Sequence, residues 1–238
     1  MIVSIHQLHY LPWLRYFHKL ASSDIFVVLD NIQFNKNGWQ NRNKIKTSQG
    51  PAILSVPILQ KFAQPLSEVQ IDNKQPWRRK HWGSISNAYR KAPFFQEHEA
   101  FFRGVYESEW EKLNDLNYEV LFYFVKALGI KTKIVKSSTL NLRGDASERL
   151  VSICQDLKAK SYLTGAFAAE EYLDQKIFEA AGISLKFQHF ECPEYPQLFP
   201  EKGFIPELSM IDLLFNCGTK SLEVLMNGAG SHTVKAKA

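Results

Sequence analysis

"SIHQLHYLPWLRYFHKLASSDIFVVLD", residues 4–30, joins two apolar runs through a turn holding two histidines, a glutamine and a proline. Ile2 to Ile5 has the length and composition of a short buried strand. Pro12 suits the first turn of a helix, where its missing N–H costs nothing. Tyr10, Trp13, Leu14, Phe17, Leu20 and Ala21 then recur at helical spacing on one face, with Arg15, His18, Lys19 and Ser22 on the other. Ser23 and Asp24 end that helix. Ile25 to Leu29 is a continuous apolar run, as in a strand buried on both faces. The stretch therefore predicts a strand–helix–strand unit, a parallel pair with a right-handed crossover. Ligands of open parallel sheets bind beyond the carboxyl ends of the strands. His6, Gln7 and His9 follow one such end and Asp30 follows the next, which makes them candidates for a site.

The alternation returns near the C-terminus. Ile134-Val135, Ser161 to Gly165 and Ile183 to Phe187 read as strands, and Asp145-Ala-Ser-Glu148 resembles a capping box opening a helix through Leu157. Pro206 is expected to open a last helix through Asn216, with Gly218 as its stop. In between, Ala52 to Ile58 and Leu66 to Ile71 read as an antiparallel pair of strands. "PWRRKHWGSI", residues 76–85, opens a helical region, and Leu113, Leu116, Val120, Phe124 and Leu128 mark one long amphipathic helix between Val105 and Leu128. The expected fold class is α/β, a mostly parallel sheet of strand–helix–strand units with a helical insertion at about residues 76–128. Residues 1–226 are expected to form a single domain and the small, polar segment 227–238 a loose tail.

Of 238 residues, 45% are apolar and 22% charged, an ordinary globular balance, whereas aromatics reach 13%. Some of those rings must pack a core; others can stack on a ring-shaped ligand. The net charge of +5 suits an anionic substrate but is too small to indicate nucleic-acid binding. Cys154, Cys192 and Cys217 match neither a disulfide framework nor a zinc spacing, as expected of reduced thiols in a cytoplasmic protein. No signal-peptide pattern opens the chain. No apolar run approaches the roughly 20 residues of a membrane span.

His6 and His9 can act as acid–base groups, phosphate donors or structural histidines; a metal role is disfavoured because no third ligand accompanies them. Their turn also invites comparison with class I synthetases and nucleotidylyltransferases, where an H-x-G-H turn after the first strand holds ATP phosphates. His9-Tyr-Leu-Pro12 stands in that place, with Leu11 for the glycine and Pro12 for the second histidine. "DNIQFNKNGWQNRNKIKT", residues 30–47, reads as a basic loop around Trp39. Arg42, Lys44 and Lys36 there suit phosphate, and Trp39 suits a ring. "WRRKHW", residues 77–82, is too short a footprint for nucleic acid. Asp174 and Asp212 are further acids, although Asp212 falls in an apolar helical pattern where a carboxylate needs a partner. No GxSxG, Walker or GxGxxG motif is present, and Cys217 in "FNCG" has no neighbouring histidine.

Taken together, "IHQLHYLPWLRYFHKLASSDIFVVLD", "FNKNGWQNRNKIKT", "KHW", "ASERLVSICQDLKAKSYLTG", "EYLD" and "ELSMIDLLFNCG" resemble, in their order, the WbqC-like family of bacteria over nearly the whole chain. Members commonly carry HQP, and a glycine after LPWL, where this chain has Leu8 and Arg15. The family's Gly-rich stretch before YLD is reduced to Gly165 followed by Ala-Phe-Ala-Ala, and alanine obstructs the backbone contact that glycine permits.

The resemblance implies work on nucleotide-activated sugars in O-antigen (lipopolysaccharide) and other surface-polysaccharide biosynthesis. It carries His6, Gln7, Asp30, Trp39, Asn41, Arg42, Lys80, His81, Asp174, Asp212 and Asn216 forward as site residues. The leading expectation is an acyl- or aminoacyltransferase acting on a sugar amine. In it His6 or His9 takes the proton, Asp30 assists, Arg42, Lys44 and Lys36 hold the diphosphate, and Trp39 stacks on the ligand. The acyl donor is left open and includes aminoacyl-tRNA. No resident cofactor is expected, although ATP or an activated acyl donor fits. The alternatives are an ATP-dependent ligase or nucleotidyltransferase, and a non-catalytic protein binding nucleotide sugars or a partner.

Overall fold

In the computed structural model, which describes residues 1–36, 38–59, 63–144, 146–165 and 173–228, the opening stretch forms β1 (Ile2–Gln7), α1 (Leu14–Ala21) and β2 (Ile25–Leu29). There follow β3 (Arg42–Thr47), β4 (Gly50–Ser55), β5 (Ile58–Leu59) and β6 (Gln70–Ile71). Three helices come next: α2 (Trp77–Tyr89), α3 (Phe95–Glu107) and α4 (Leu113–Ala127). The alternation resumes with β7 (Lys133–Lys136), α5 (Ala146–Asp156), β8 (Ser161–Gly165), α6 (Gln175–Ala180) and β9 (Ser184–Gln188). It closes with α7 (Met210–Cys217) and α8 (Ser221–Asn227).

The main sheet has the order β7-β2-β1-β8-β9, and all four pairings are parallel. Counting only its own strands, that is 3-2-1-4-5, the order of a doubly wound sheet. Such a sheet is buried on both faces, which is why Ile25–Leu29 reads as a solid apolar run. Phe26 and Val28 pack with Leu14, Phe17 and Leu20 of α1, together with residues of α4 and α7. Val3, Ile5, Ile25 and Val27 pack on the opposite side with Ile153 and Cys154 of α5 and Phe178 of α6. Alternate side chains of one strand thus enter two separate cores.

Several local expectations change. Residues 42–47 form β3, paired with β4 from Arg42–Ser55 to Thr47–Gly50, instead of continuing the basic loop. Asn43 and Ile45 are fully buried and alternate with half-buried Arg42 and Lys44, a strand period disguised by the polar Asn43 on the inward face; Lys46, on the other face, is buried as well. Leu66–Glu68 is a 3-10 turn, so only Gln70–Ile71 pairs with Ile58–Leu59. The long helix between Val105 and Leu128 is two helices. Ser108 N–H bonds back to Gly104, Trp110 Nε1 donates to the Val105 carbonyl, and Leu113 N–H pairs with Val69, so the chain turns between α3 and α4. The last predicted helix starts at Met210 rather than Pro206, capped by the Ser209 hydroxyl on Ile211 N–H, and α8 follows it. Gly218 ends α7 at φ 53°, where a Cβ would run into the Phe94 ring. Asp145 of the capping box, the Ala-Phe-Ala-Ala run after Gly165 and all but the first two residues of the predicted tail lie outside the described residues. Among the described residues, no helix is long and apolar enough to cross a membrane.

Candidate active site

The β1–β8 ladder ends at Ser4–Leu163, whereas β1 stays paired with β2 to Gln7–Leu29. Above Ser4 the two central strands therefore part. The parting falls where the winding reverses, since β2 and β7 build outward on one side of β1, and β8 and β9 on the other. Ligands of doubly wound sheets bind at that switch point. Here it holds a cleft of about 560 Å³. Ile5, His6 and Gln7 from the end of β1 form one wall, with Tyr162 and Gly165 of β8 and Gln188 of β9 opposite. Ala146, Arg149 and Leu150 present the first turn of α5, whose partial positive charge favours an anion. Arg15, Tyr16 and Lys19 of α1, with His9, Trp13 and Trp39, complete it. Arg15, Lys19 and Arg149 are thus in the lining, and among its described residues there is no carboxylate.

The turn between β1 and α1 is a constrained piece of backbone. Leu11 is fully buried at φ 45°, a left-handed conformation costly for a non-glycine residue. It stands at the glycine position of the H-x-G-H comparison. Asn43, wholly buried on β3, holds the turn by donating from its side-chain amide to the carbonyls of Leu11 (2.7 Å) and Tyr10 (3.3 Å). Tyr10 N–H in turn donates to the Trp39 carbonyl at 3.3 Å.

Within this frame the rings interlock. His6 lies edge-to-face on His9 (4.8 Å between centroids) and on Tyr16 (4.9 Å), and His9 lies 5.1 Å from Trp13. Trp13 meets Trp39 edge-on at 5.3 Å, and the cations of Arg42 and Lys44 sit over the Trp39 ring at 5.5 and 5.9 Å. His6 Nδ1 donates to the Gln7 carbonyl at 3.1 Å, which leaves Nε2 as the acceptor of the neutral ring. Burial first, then the neighbouring His9 and Lys19, holds His6 well below its ordinary pKa, and burial takes His9 down to about 3. Both imidazoles are therefore neutral at pH 7. The Nδ1 of His9 and the hydroxyl of Tyr16 are buried without a hydrogen-bond partner. Lys19, only 5% exposed, donates through Nζ to the Ile5 carbonyl at 2.8 Å, and burial lowers its amine to about 7.

Four of the residues singled out in the sequence line this cleft: His6, Gln7, His9 and Trp39. Gln7 is fixed by Gln40, whose amide donates to its Oε1 at 3.1 Å. Arg42 and Lys44 are not in the lining but brace it: both cations sit over the Trp39 ring, and Arg42 Nε donates to the carbonyl of the lining residue Gly38 at 3.2 Å. The others are elsewhere. Asp30 is buried and ties β2 to the turn after β7, accepting from Ser137 Oγ (2.9 Å), Ser138 N–H (2.9 Å) and Ser138 Oγ (2.7 Å). Asn41 bonds the Val56 carbonyl, and Lys36 and Lys80 are exposed. His81 is buried against the Tyr10 hydroxyl, itself 2.6 Å from that of Tyr106. Asp174 caps α6. Asp212 is fully buried and accepts from the phenols of Tyr89 (2.8 Å) and Tyr195 (2.9 Å), while Asn216 donates to the Asp212 carbonyl within α7.

Arg15, Tyr16, Lys19, Arg149 and Gln188 were not singled out by sequence. On α1 the pattern assigns Arg15, His18 and Lys19 to a solvated face. The structure buries two of them: His18 against Gln188 at the end of β9 and the Phe190 ring, and Lys19 in the cleft, where its amine reaches back to the Ile5 carbonyl. The partners of His18 lie more than 160 positions away, beyond any local signal.

The fold and cleft define a doubly wound α/β protein with its candidate site at the switch point. Within that class the chain belongs to the WbqC-like protein family, whose model matches residues 7–224. It is 35% identical over 227 residues to Rv1507c, an uncharacterized protein of Mycobacterium tuberculosis (strain ATCC 25618 / H37Rv), a match covering 94% of this chain and 96% of that protein. No solved structure matches the chain at a significant level.

Proposed function

We propose that the chain is a cytoplasmic transferase that binds a nucleotide-activated sugar in the switch-point cleft and places an acyl or aminoacyl group on a sugar amine, in surface-polysaccharide biosynthesis. The observation that carries this reading is the cleft's chemistry: three basic side chains, two neutral imidazoles and two tryptophans, with no carboxylate among the described lining residues. Arg15 and Arg149, the latter in the first turn of α5, suit a diphosphate. Trp39, held from one side by Trp13 and by two cations, suits the base or sugar ring. His6, with Nε2 free to accept, and His9 then hydrogen-bond the attacking amine. An amide forms only when that amine is neutral, and a cleft lined by basic groups, with no carboxylate among its described residues, favours the reactive form.

A second reading keeps the H-x-G-H frame and activates the acyl group with ATP. The left-handed Leu11 favours it, because the backbone adopts at that position the conformation for which such turns use glycine. One assay separates the readings. Amino-sugar nucleotides are incubated with the protein and, in turn, amino acids with ATP, acyl-CoA and aminoacyl-tRNA, and products are weighed by mass spectrometry. A mass gain equal to an acyl group supports transfer, and AMP release together with it supports the ATP-dependent form. If the protein binds the sugar nucleotide, modifies nothing with any donor, and the His6→Ala and His9→Ala variants bind as the parent does, the transferase reading fails in favour of a binding protein.

A further inference from the structure

Lys19 stands apart from the other cations of the cleft. Arg15 pairs with Glu207 at 2.9 Å and is more than a third exposed. Arg149 lies at the half-buried rim, beside the Gly144 carbonyl. Lys19 is buried, and the hydrogen bond its Nζ makes goes to the Ile5 carbonyl, one residue past the point where β1 and β8 part. A carbonyl satisfies one of the three N–H groups of an ammonium. Among the described residues, the other cleft groups that titrate or carry charge are His6, His9, Tyr16, Arg15, Tyr162 and Arg149, and none of these is a carboxylate that would hold an ammonium. The residue needs a reason to be where it is, because a lysine on a helix can ordinarily carry its head to water along its own stem.

We propose that Lys19, buried in the cleft with its amine at the strand parting, is the acid–base residue that takes the proton from the attacking sugar nitrogen and returns it to the leaving group. This rests on the transferase reading above. In the step, the sugar amine's lone pair forms a C–N bond to the acyl carbon. The bond from that carbon to the donor's sulfur or oxygen breaks, and its electron pair leaves with the donor. Lys19 Nζ accepts the proton released from nitrogen, and the resulting ammonium gives it to the departing thiolate or oxyanion, so the amine is restored. His6 and Tyr16 line the same cleft as Lys19, and His6 is close enough to feel its charge. The histidines suit this role less well. A general base works best with a pKa near the working pH, and at about 3 His9 takes protons poorly, whereas burial brings the lysine to about 7.

The test is a titration of the protein labelled with 15N and 13C at lysine, read by NMR without substrate, with the Lys19 signal assigned from its loss in Lys19→Met. The expected midpoint is near pH 7, against about 10.4 for an ordinary lysine. Lys19→Met and Lys19→Arg are expected to lose roughly 10²–10⁴-fold in turnover while binding of the nucleotide sugar changes little, and the low-pH limb of the pH–rate profile is expected to move with the lysine. A midpoint above 9 overturns the proposal whatever the protein's activity, and so does a near-neutral midpoint with a Lys19→Met enzyme as fast as the parent. Failure of the transferase reading looks different: the lysine titrates near neutrality, yet the parent protein adds no acyl mass with any donor, and the proposed step falls with it.

Discussion

Asn43 illustrates how much of the site rests on single side chains that no motif marks. Its amide satisfies two turn carbonyls in a wholly buried place, so Asn43→Ala leaves both without a partner. The expected cost is on the order of 1–3 kcal/mol in urea unfolding, with weaker nucleotide-sugar binding because the His9 turn loosens. Trp39→Ala is expected to weaken that binding more than Arg42→Ala, since Trp39 lines the cleft while Arg42 braces it from behind; calorimetry of the two variants checks the order. Lys19 has its own signature in stability. With a folded pKa near 7 against 10.5, the unfolded chain holds the extra proton between those values, so this residue makes stability rise as pH climbs through that window. Unfolding curves at pH 7 and pH 9.5 are expected to show the rise in the parent and to lose much of it in Lys19→Met. At this scale the sequence was legible where chemistry and position agreed: His6, Gln7 and His9 follow a strand end, and Trp39 is an aromatic in a polar run. Lys19 is illegible because helical spacing puts it on the polar face of α1 and does not show that its amine folds back to the Ile5 carbonyl.

Among the elements, β2 and β7 depend on one carboxylate. Asp30 accepts three hydrogen bonds from the Ser137-Ser138 turn, and the Asn114 side chain at the start of α4 donates to the Asp30 carbonyl at 2.9 Å. Asp30→Ala is therefore expected to destabilise the fold by about 1.5–3 kcal/mol per charge-assisted bond that finds no substitute, measured by denaturant unfolding, while Kd for the nucleotide sugar stays near the parent value. A large loss of affinity in a stably folded variant would restore a catalytic role to Asp30. The opening strand–helix–strand unit, β7, α5, β8 and β9 were readable because apolar runs and helical periodicity mark them directly. β3 was hidden by Asn43 and Lys46, polar residues buried by partners from elsewhere in the chain. The break between α3 and α4 was hidden because a helical period survives across a short turn.

Across the whole molecule, burial sets the response to acid. It lowers His6 and His9 in the cleft, and takes His18 on α1 and His81 on α2 to about 4. Each of these groups binds its proton more readily in the unfolded chain between pH 6.5 and its lower folded value, so their contribution to stability is present above pH 6.5 and is lost as pH falls toward 4. Urea midpoints at pH 7.5 and pH 4.5 are expected to differ accordingly, and His81→Gln to lessen the difference; equal midpoints would contradict the buried, neutral assignment. The central claim concerns place: the ends of β1 and β8 part over α5 to make a ligand site. A crystal structure of the protein grown with a nucleoside-diphosphate amino sugar tests it most directly. The account predicts the diphosphate between Arg15 and Arg149 at the first turn of α5, with a ring of the ligand against Trp39. The sugar nucleotide ordered elsewhere, for instance in the concavity lined by Lys74, Arg78, Arg79, Glu107 and Glu109, while the switch-point cleft holds none of it, would contradict the account.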